Sequence, residues 1–193
     1  MKNIYHEGNR DIQDQFDSRR LADRVNELIV HDDITDEDRD FIAARDMFFI
    51  TTVDEFGRPT VSYKGGDSGF VRVIDKKTIA FPGYDGNGMF LTAGNIKANN
   101  QVGLLFIDFE NPHRMRLHGT ATIDVNDPLL DEYIDAQYMI RITIRNLFIN
   151  CPRYIHNYKK IEKSEYVPKQ GCSAPIPEWK NLDVIKDYLP KDI

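Results

Sequence analysis

The sequence predicts a mainly β domain with flanking helices, built on an antiparallel barrel of about six or seven strands. Three observations carry this. Between residues 47 and 81, β-branched and aromatic runs alternate with short polar turns at the spacing of a barrel or sandwich. Ile140, Ile142 and Ile144 alternate with Arg141, Thr143 and Arg145, the period of two that belongs to a strand. Helical spacing is prominent only in the first 40 residues, with short helical pieces further on. A chain of 193 residues holds one domain with a full core and is marginal for two. We divide it into an N-terminal helical segment packed on the barrel (1–46), the barrel core (47–150) and a C-terminal extension (151–193).

Phe16, Leu21, Val25, Leu28 and Ile29 form one apolar stripe near 3.6-residue spacing. Thr35 reads as an N-cap, with Asp36, Glu37 and Asp38 in the first turn, where negative charge suits the helix dipole; a helix over roughly 36–45 follows. "MFFITTV", the turn "DEFGRP" and "TVSYK" make a hairpin, and "GFVRVI", "DKK" and "TIAF" make two more strands. The glycine-rich stretch "FPGYDGNGM" (81–89) comes next, then "NGMFLTAGNIKANN" with weak helical character. "QVGLLFIDF" and "RMRLHGTATID" are strands five and six about the turn "ENPH"; "DPLLDEYIDAQ" predicts a helix with Pro128 near its start, and the isoleucine run is the last strand. The tail ends in the amphipathic "EWKNLDVIKDYL", with Trp179 expected to anchor it on the barrel.

A net charge of -6 speaks against a broad nucleic-acid surface, since phosphate backbones are held by clustered Lys and Arg. The N-terminus has no signal-peptide pattern and no apolar run approaches a membrane span, so a cytoplasmic protein without membrane partners is expected. Cys151 and Cys172 form no CxxC pair and read as reduced thiols. His113 and His118 are five apart on one strand, point to opposite faces and cannot share a metal unless a bulge intervenes; no metal site is expected. No GxSxG, HExxH or Cys–His arrangement is present.

The residues that remain suit a phosphate, which needs a fixed cation, a hydroxyl and bare N–H groups. Lys64 ends the second strand, Ser62 shares its face, and Gly65 and Gly66 after it let a bound group approach the backbone. The glycines of "GYDGNG" open a helix whose N–H groups point at whatever lies before it. Arg114, Arg116 and His118 form a row on one face of strand six.

In order and spacing, "FFITTVDEFGRPTVSYKGG", "GFVRVIDKKTIAF", the glycine-rich loop and "NNQVGLLFIDFENPHRMRLHGTATI" resemble the pyridoxamine 5'-phosphate oxidase-like FMN-binding proteins over roughly residues 38–125, and "NCPRYI" resembles a motif of the flavin-nucleotide-binding branch. The resemblance implies a split β-barrel and a homodimer with FMN at the subunit interface. It implies that Lys64 contacts the FMN phosphate, that Val61, Ser62 and Tyr63 line the flavin, and that Phe81 and Pro82 meet its ring. It also implies that the loop through Tyr84, Asn87, Gly88 and Met89 surrounds the cofactor, and that Arg114 reaches it from the partner subunit. Two departures separate this chain from the oxidases: Pro59 replaces an Arg, and Asn87–Gly88 replaces an Arg-Lys pair. FMN binding and an FMN-dependent oxidoreductase, with pyridoxamine phosphate not its substrate, are therefore expected, the flavin supplying the redox chemistry. The alternative is a carrier or sensor without turnover, binding a flavin, a heme or a deazaflavin.

Overall fold

The computed structural model describes residues 3–169 and 174–190. Three helices, α1 (Glu7–Gln15), α2 (Arg19–Ile29) and α3 (Asp36–Ala43), precede β1 (Met47–Val53), β2 (Pro59–Gly65), β3 (Arg72–Val73) and β4 (Thr78–Tyr84). Then come α4 (Leu91–Ala98), β5 (Gln101–Asp108), β6 (His113–Asp124) and β7 (Ala136–Asn150). The strands form one antiparallel sheet in the order β2-β1-β5-β6-β7-β4-β3. The expected architecture of flanking helices and seven antiparallel strands is thus the one observed.

Alternation sorts the strands into a core face and an outer face. Phe48, Phe81 and Phe106 are fully buried, with Phe48 4.9 Å from Phe81 and 5.1 Å from Phe106 between ring centroids. Burying each such ring contributes about 1.5–3 kcal/mol. Thr35 does cap α3, accepting from the Asp38 amide while the Asp38 carboxylate accepts from the Thr35 amide. His31 ties this segment to the barrel: its backbone bridges Leu147, and Nε2 lies 2.7 Å from buried Asp38. Helices α1 and α2, in contrast, bury no residue.

Three expected elements differ. The third strand is only two residues long, and β4 runs on to Tyr84, so the glycine-rich stretch begins as strand. The helix expected at Pro128 is a single 3-10 turn, Pro128–Glu132. The tail forms 3-10 turns, Glu178–Asn181 and Lys186–Tyr188, in place of an amphipathic helix, and Trp179 is partly exposed.

The 3-10 turn is set by Asp127, almost fully buried, which accepts from the Leu129 amide and from Nε and Nη2 of Arg141 at 2.5 and 2.8 Å. The Arg141 hydrogen bonds hold its carboxyl below the usual range. Asp127→Ala should cost about 2 kcal/mol, less than a fully buried pair because Arg141 keeps some access to water. A carboxyl depressed in the native state stabilises fully above the ordinary Asp range and loses that contribution as pH falls through its native value. Denaturant midpoints from pH 7 to 2 should therefore show a shallower acid decline in the variant.

Candidate functional site

Strand β2 is an edge, paired only with β1, and presents unpaired backbone groups along its free side. Lys64 stands opposite Phe48 and Ser62 opposite Ile50, so both point to the core face, while Val61 and Tyr63 point outward and are exposed. Lys64 is half-buried, and burial pushes its proton affinity down. Among the described residues it has neither an ion pair nor a hydrogen bond.

Helix α4 completes this spot. Buried Thr92 donates its hydroxyl to Ser62 Oγ at 3.2 Å, leaving the Ser62 proton available, and Asn95 donates to Thr52 Oγ1 at 3.0 Å, fixing the helix to β1. The helix starts at Phe90 in the left-handed region (φ 47°), with no side-chain cap on its first N–H groups. Gly88 (φ +77°) makes the reversal before it possible. A cation, two hydroxyls and an uncapped helix N-terminus therefore converge. Thr92 escaped the sequence reading; a hydroxyl in the first turn of a helix after a glycine loop was its only signal.

The other expected residues divide. Phe81 is fully buried and Pro82 buried in the core, so what they offer a ligand is backbone. Tyr84 is half-buried, and burial pushes its phenol up to about 12, which keeps it a hydrogen-bond donor at any ordinary pH. Asn87, Gly88 and Met89 are exposed, but the Met89 N–H already donates to Asn87 Oδ1 at 3.1 Å. Gly66 is accounted for by packing: a Cβ there would stand 2.5 Å from the Phe70 ring. Gly83 is likewise filled by the Tyr138 ring, 2.2 Å from where a Cβ would be.

On β6, Met115 and Leu117 are buried while Arg114, Arg116 and His118 face outward, as the alternation predicts. Nε of Arg114 is buried without a hydrogen-bond partner. Arg116 donates to Asn150 Oδ1 at 2.6 Å. Burial, then Arg145 and Arg116, hold the His118 imidazole below its ordinary proton affinity, so the ring is neutral at pH 7. His113 packs on Phe41 and His118 on Phe148. Among the described residues no three His, Cys, Asp or Glu are grouped to hold a metal ion, and no helix is long and apolar enough to cross a membrane. Cys151 is an exposed free thiol, and Cys172 lies outside the described residues.

Within one chain Lys64 and Arg114 belong to opposite faces of the sheet: Lys64 shares its face with Phe48, and Arg114 pairs with outward Ile107. They also stand on strands three positions apart, about 14 Å at the usual spacing. Beside β2 opens a cleft of about 840 Å³, lined by Arg45, Tyr63, Tyr84, Tyr158, Lys163 and Tyr166 among others. The tail forms its far wall, held by Lys160–Asp46 and Lys163–Asp67 ion pairs, each 2.5 Å, and by the Tyr158 amide donating to the Phe109 carbonyl. Tyr63 and Tyr84 of the expected set reach this cleft; Lys64, Ser62 and Arg114 do not.

Residues 34–161 match the family model described as pyridoxamine 5'-phosphate oxidase. Among solved structures, a tagged HupZ protein of Group A Streptococcus is 22% identical over 65% of this chain and 99% of its own, with a TM-score of 0.51, a likeness of fold. An FMN-binding protein from Syntrophomonas wolfei is 13% identical, over 72% of this chain and 97% of its own, with a TM-score of 0.46. The heme storage protein HutZ from Vibrio cholerae is 19% identical, over 61% and 94%, with a TM-score of 0.45. A search of the curated proteins returned no match.

Proposed function

We propose a function from one premise, that this chain belongs to the pyridoxamine 5'-phosphate oxidase family: it is an FMN-binding oxidoreductase that works as a homodimer. The observation that carries the reading is Lys64, a half-buried ammonium with no partner among the described residues, set beside the Ser62–Thr92 hydroxyl pair and the uncapped start of α4. Burying a cation without a counter-charge is costly, and a phosphate near -2 removes that cost. Lys64, Ser62, Thr92 and the first amides of α4 would hold the phosphate. The strand-edge backbone of β2 and of Phe81–Pro82 would flank the ring. When bound, the flavin supplies the electron transfer; the protein's part is to orient it and to keep Tyr84 protonated beside it.

The orphaned Nε of Arg114 supports the dimer. Its strand and face keep it from Lys64 of its own chain, so the arginine completes the pocket only from a second copy. This makes a sharp expectation. Lys64→Ala and Arg114→Ala each weaken FMN binding, yet an equal mixture refolded together recovers wild-type affinity in about a quarter of the sites, because each mixed dimer holds one intact pocket. No recovery places both residues in one chain's pocket and sinks the shared site. The purified protein should show flavin bands near ~370 and ~450 nm.

The second reading is an anionic planar ligand such as heme on the outer row. Among the described residues Arg114 and Arg116 carry no carboxylate partner, and the neutral His118 imidazole beside them has the form that ligates iron. A Soret band in place of the flavin bands would decide for it. The electron donor should be sought by anaerobic reduction with NADH or NADPH; absence of reduction at millimolar donor would favour a carrier.

A further inference from the structure

Residues 156–166 supply much of the far wall of the cleft without hiding a side chain: every one of them is exposed, and 156–164 form no helix, strand or turn. Ile161, an apolar residue that a packed segment would bury, is 95% exposed. Ordering such a stretch costs backbone entropy that burial does not repay. What holds it is a short set of polar contacts. The Tyr158 amide donates to the Phe109 carbonyl and the Lys160 amide to the Glu110 carboxylate, each at 2.9 Å. Asn157 donates to the Glu110 carbonyl at 2.6 Å, and the Tyr158 ring rests on Phe109. Lys160–Asp46 and Lys163–Asp67 then tie the segment across to the start of β1 and to the loop after β2.

The two ends differ from the middle. Ile155 on one side and Val167 and Pro168 on the other are partly buried, so the segment is pinned at both ends and free of packing between them. Its two ion pairs are also of a different kind from the cleft's own. Arg45 and Asp108 meet at 2.7 Å with each side chain only 15% exposed, where salt screens little. Lys160, Lys163 and Asp67 are 48–49% exposed and Asp46 27%. A pair so open to water favours closure by a factor of about 5 at most and weakens as ionic strength rises.

We infer that residues 156–166 are a strap that opens and closes the cleft, pivoting on its partly buried ends, with Lys160–Asp46 and Lys163–Asp67 as its latches. Closed, it walls off the side on which half-buried Tyr84 stands. Open, it admits small solutes to that phenol, while the Arg45–Asp108 pair stays in place. Ionic strength sets the fraction open. The strap goes beyond the flavin reading and stands without it; if that reading also holds, the strap controls what reaches Tyr84 beside the cofactor.

The test uses the full chain free of ligand. Amide hydrogen exchange at Tyr158 and Lys160, followed by NMR, should quicken about 10-fold between about 10 mM and about 1 M sodium chloride, as the screening length falls from about 30 to about 3 Å. Amides of β5 should keep their rates. Acetylation of Tyr84 by N-acetylimidazole should rise in parallel, measured against Tyr188, which is 85% exposed. Asp46→Asn/Asp67→Asn should show at low salt the exchange and acetylation of the wild type at high salt, and should lose the salt response. Neither carboxylate bonds any other group among the described residues, so the barrel remains folded. Exchange at Tyr158 and Lys160 that ignores salt, or a variant that behaves as wild type, overturns the latches. Faster exchange with unchanged Tyr84 acetylation overturns the gate. Because no flavin is present, these results are separate from the Lys64 and Arg114 titrations, which alone decide the FMN site.

Discussion

Lys64→Met should weaken FMN binding about 10- to 100-fold, and the ligand-free variant should melt no lower than wild type. A charge-assisted contact to phosphate contributes about 1.5–3 kcal/mol, which sets the range in affinity. The second half of the expectation follows from what Lys64 lacks. Without ligand it makes no hydrogen bond or ion pair among the described residues, and its half-burial disfavours the charged form, so an unbranched apolar side chain of similar length keeps the packing and removes the desolvation cost. A structural lysine would behave in the opposite way. The pH dependence has a definite sign: a lysine whose native proton affinity is lowered binds fewer protons folded than unfolded, between its native value and the ordinary lysine range. Stability of the ligand-free wild type therefore rises with pH across that window, and the variant loses this slope. Fluorescence titration of FMN and calorimetry from pH 7 to 10.5 check both halves. Unchanged affinity would move the phosphate elsewhere; a melting point several degrees lower would make Lys64 part of the scaffold.

Much of this site was legible because it depends on alternation, which the chain displays directly. Ser62 and Lys64 share a face since they are two apart on a strand, and Arg114, Arg116 and His118 share theirs for the same reason. Position across the sheet was not legible. That Lys64 and Arg114 lie on opposite faces, three strands apart, follows from the order β2-β1-β5-β6, which only long-range pairing sets. Glycines misled where their neighbour was distant: Gly83 makes room for the ring of Tyr138 on β7, a packing contact that has no local pattern. The segment expected as a helix after Asp127 makes one 3-10 turn and leaves it at extended Tyr133 and left-handed Asp135, its Leu129 and Leu130 burying no face; that Asp127 is held by Arg141, fourteen residues on, has no local signal either. Thr92 matters through Ser62, thirty residues away.

The isoleucine alternation shows the same boundary between local and distant causes, and it leads to the largest expected loss of stability. Ile140, Ile142 and Ile144 face the core, but the next fully buried inward residue is Leu147, paired with Leu117; the phase shifts because the β6–β7 register slips between His118 and Gly119. Gly119 pairs with Ile144 and His118 with Asn146, so Arg145 is the extra residue of a bulge on β7. The bulge turns Asn146, Phe148 and Asn150 to the outer face beside His118, Arg116 and Arg114. It brings the β7 backbone so close that a Cβ on Gly119 would stand 2.4 Å from the Thr143 carbonyl oxygen and 2.8 Å from Ile142. A backbone atom held in a ladder cannot move aside as a side-chain tip can. Gly119→Ala should therefore cost about 3 kcal/mol or more, whereas alanine at Gly94, a helical position with open space around it, should stabilise by up to about 1 kcal/mol. Because the bulge aims the outer row, the damage should also reach function: at a temperature where the variant remains folded, Gly119→Ala should weaken FMN binding through Arg114 while leaving the Lys64 side of the pocket intact. Combining it with Arg114→Ala separates the two effects. Affinity losses that add fully would show that the bulge does not position Arg114; losses that fail to add, as expected for one mechanism counted twice, would show that it does.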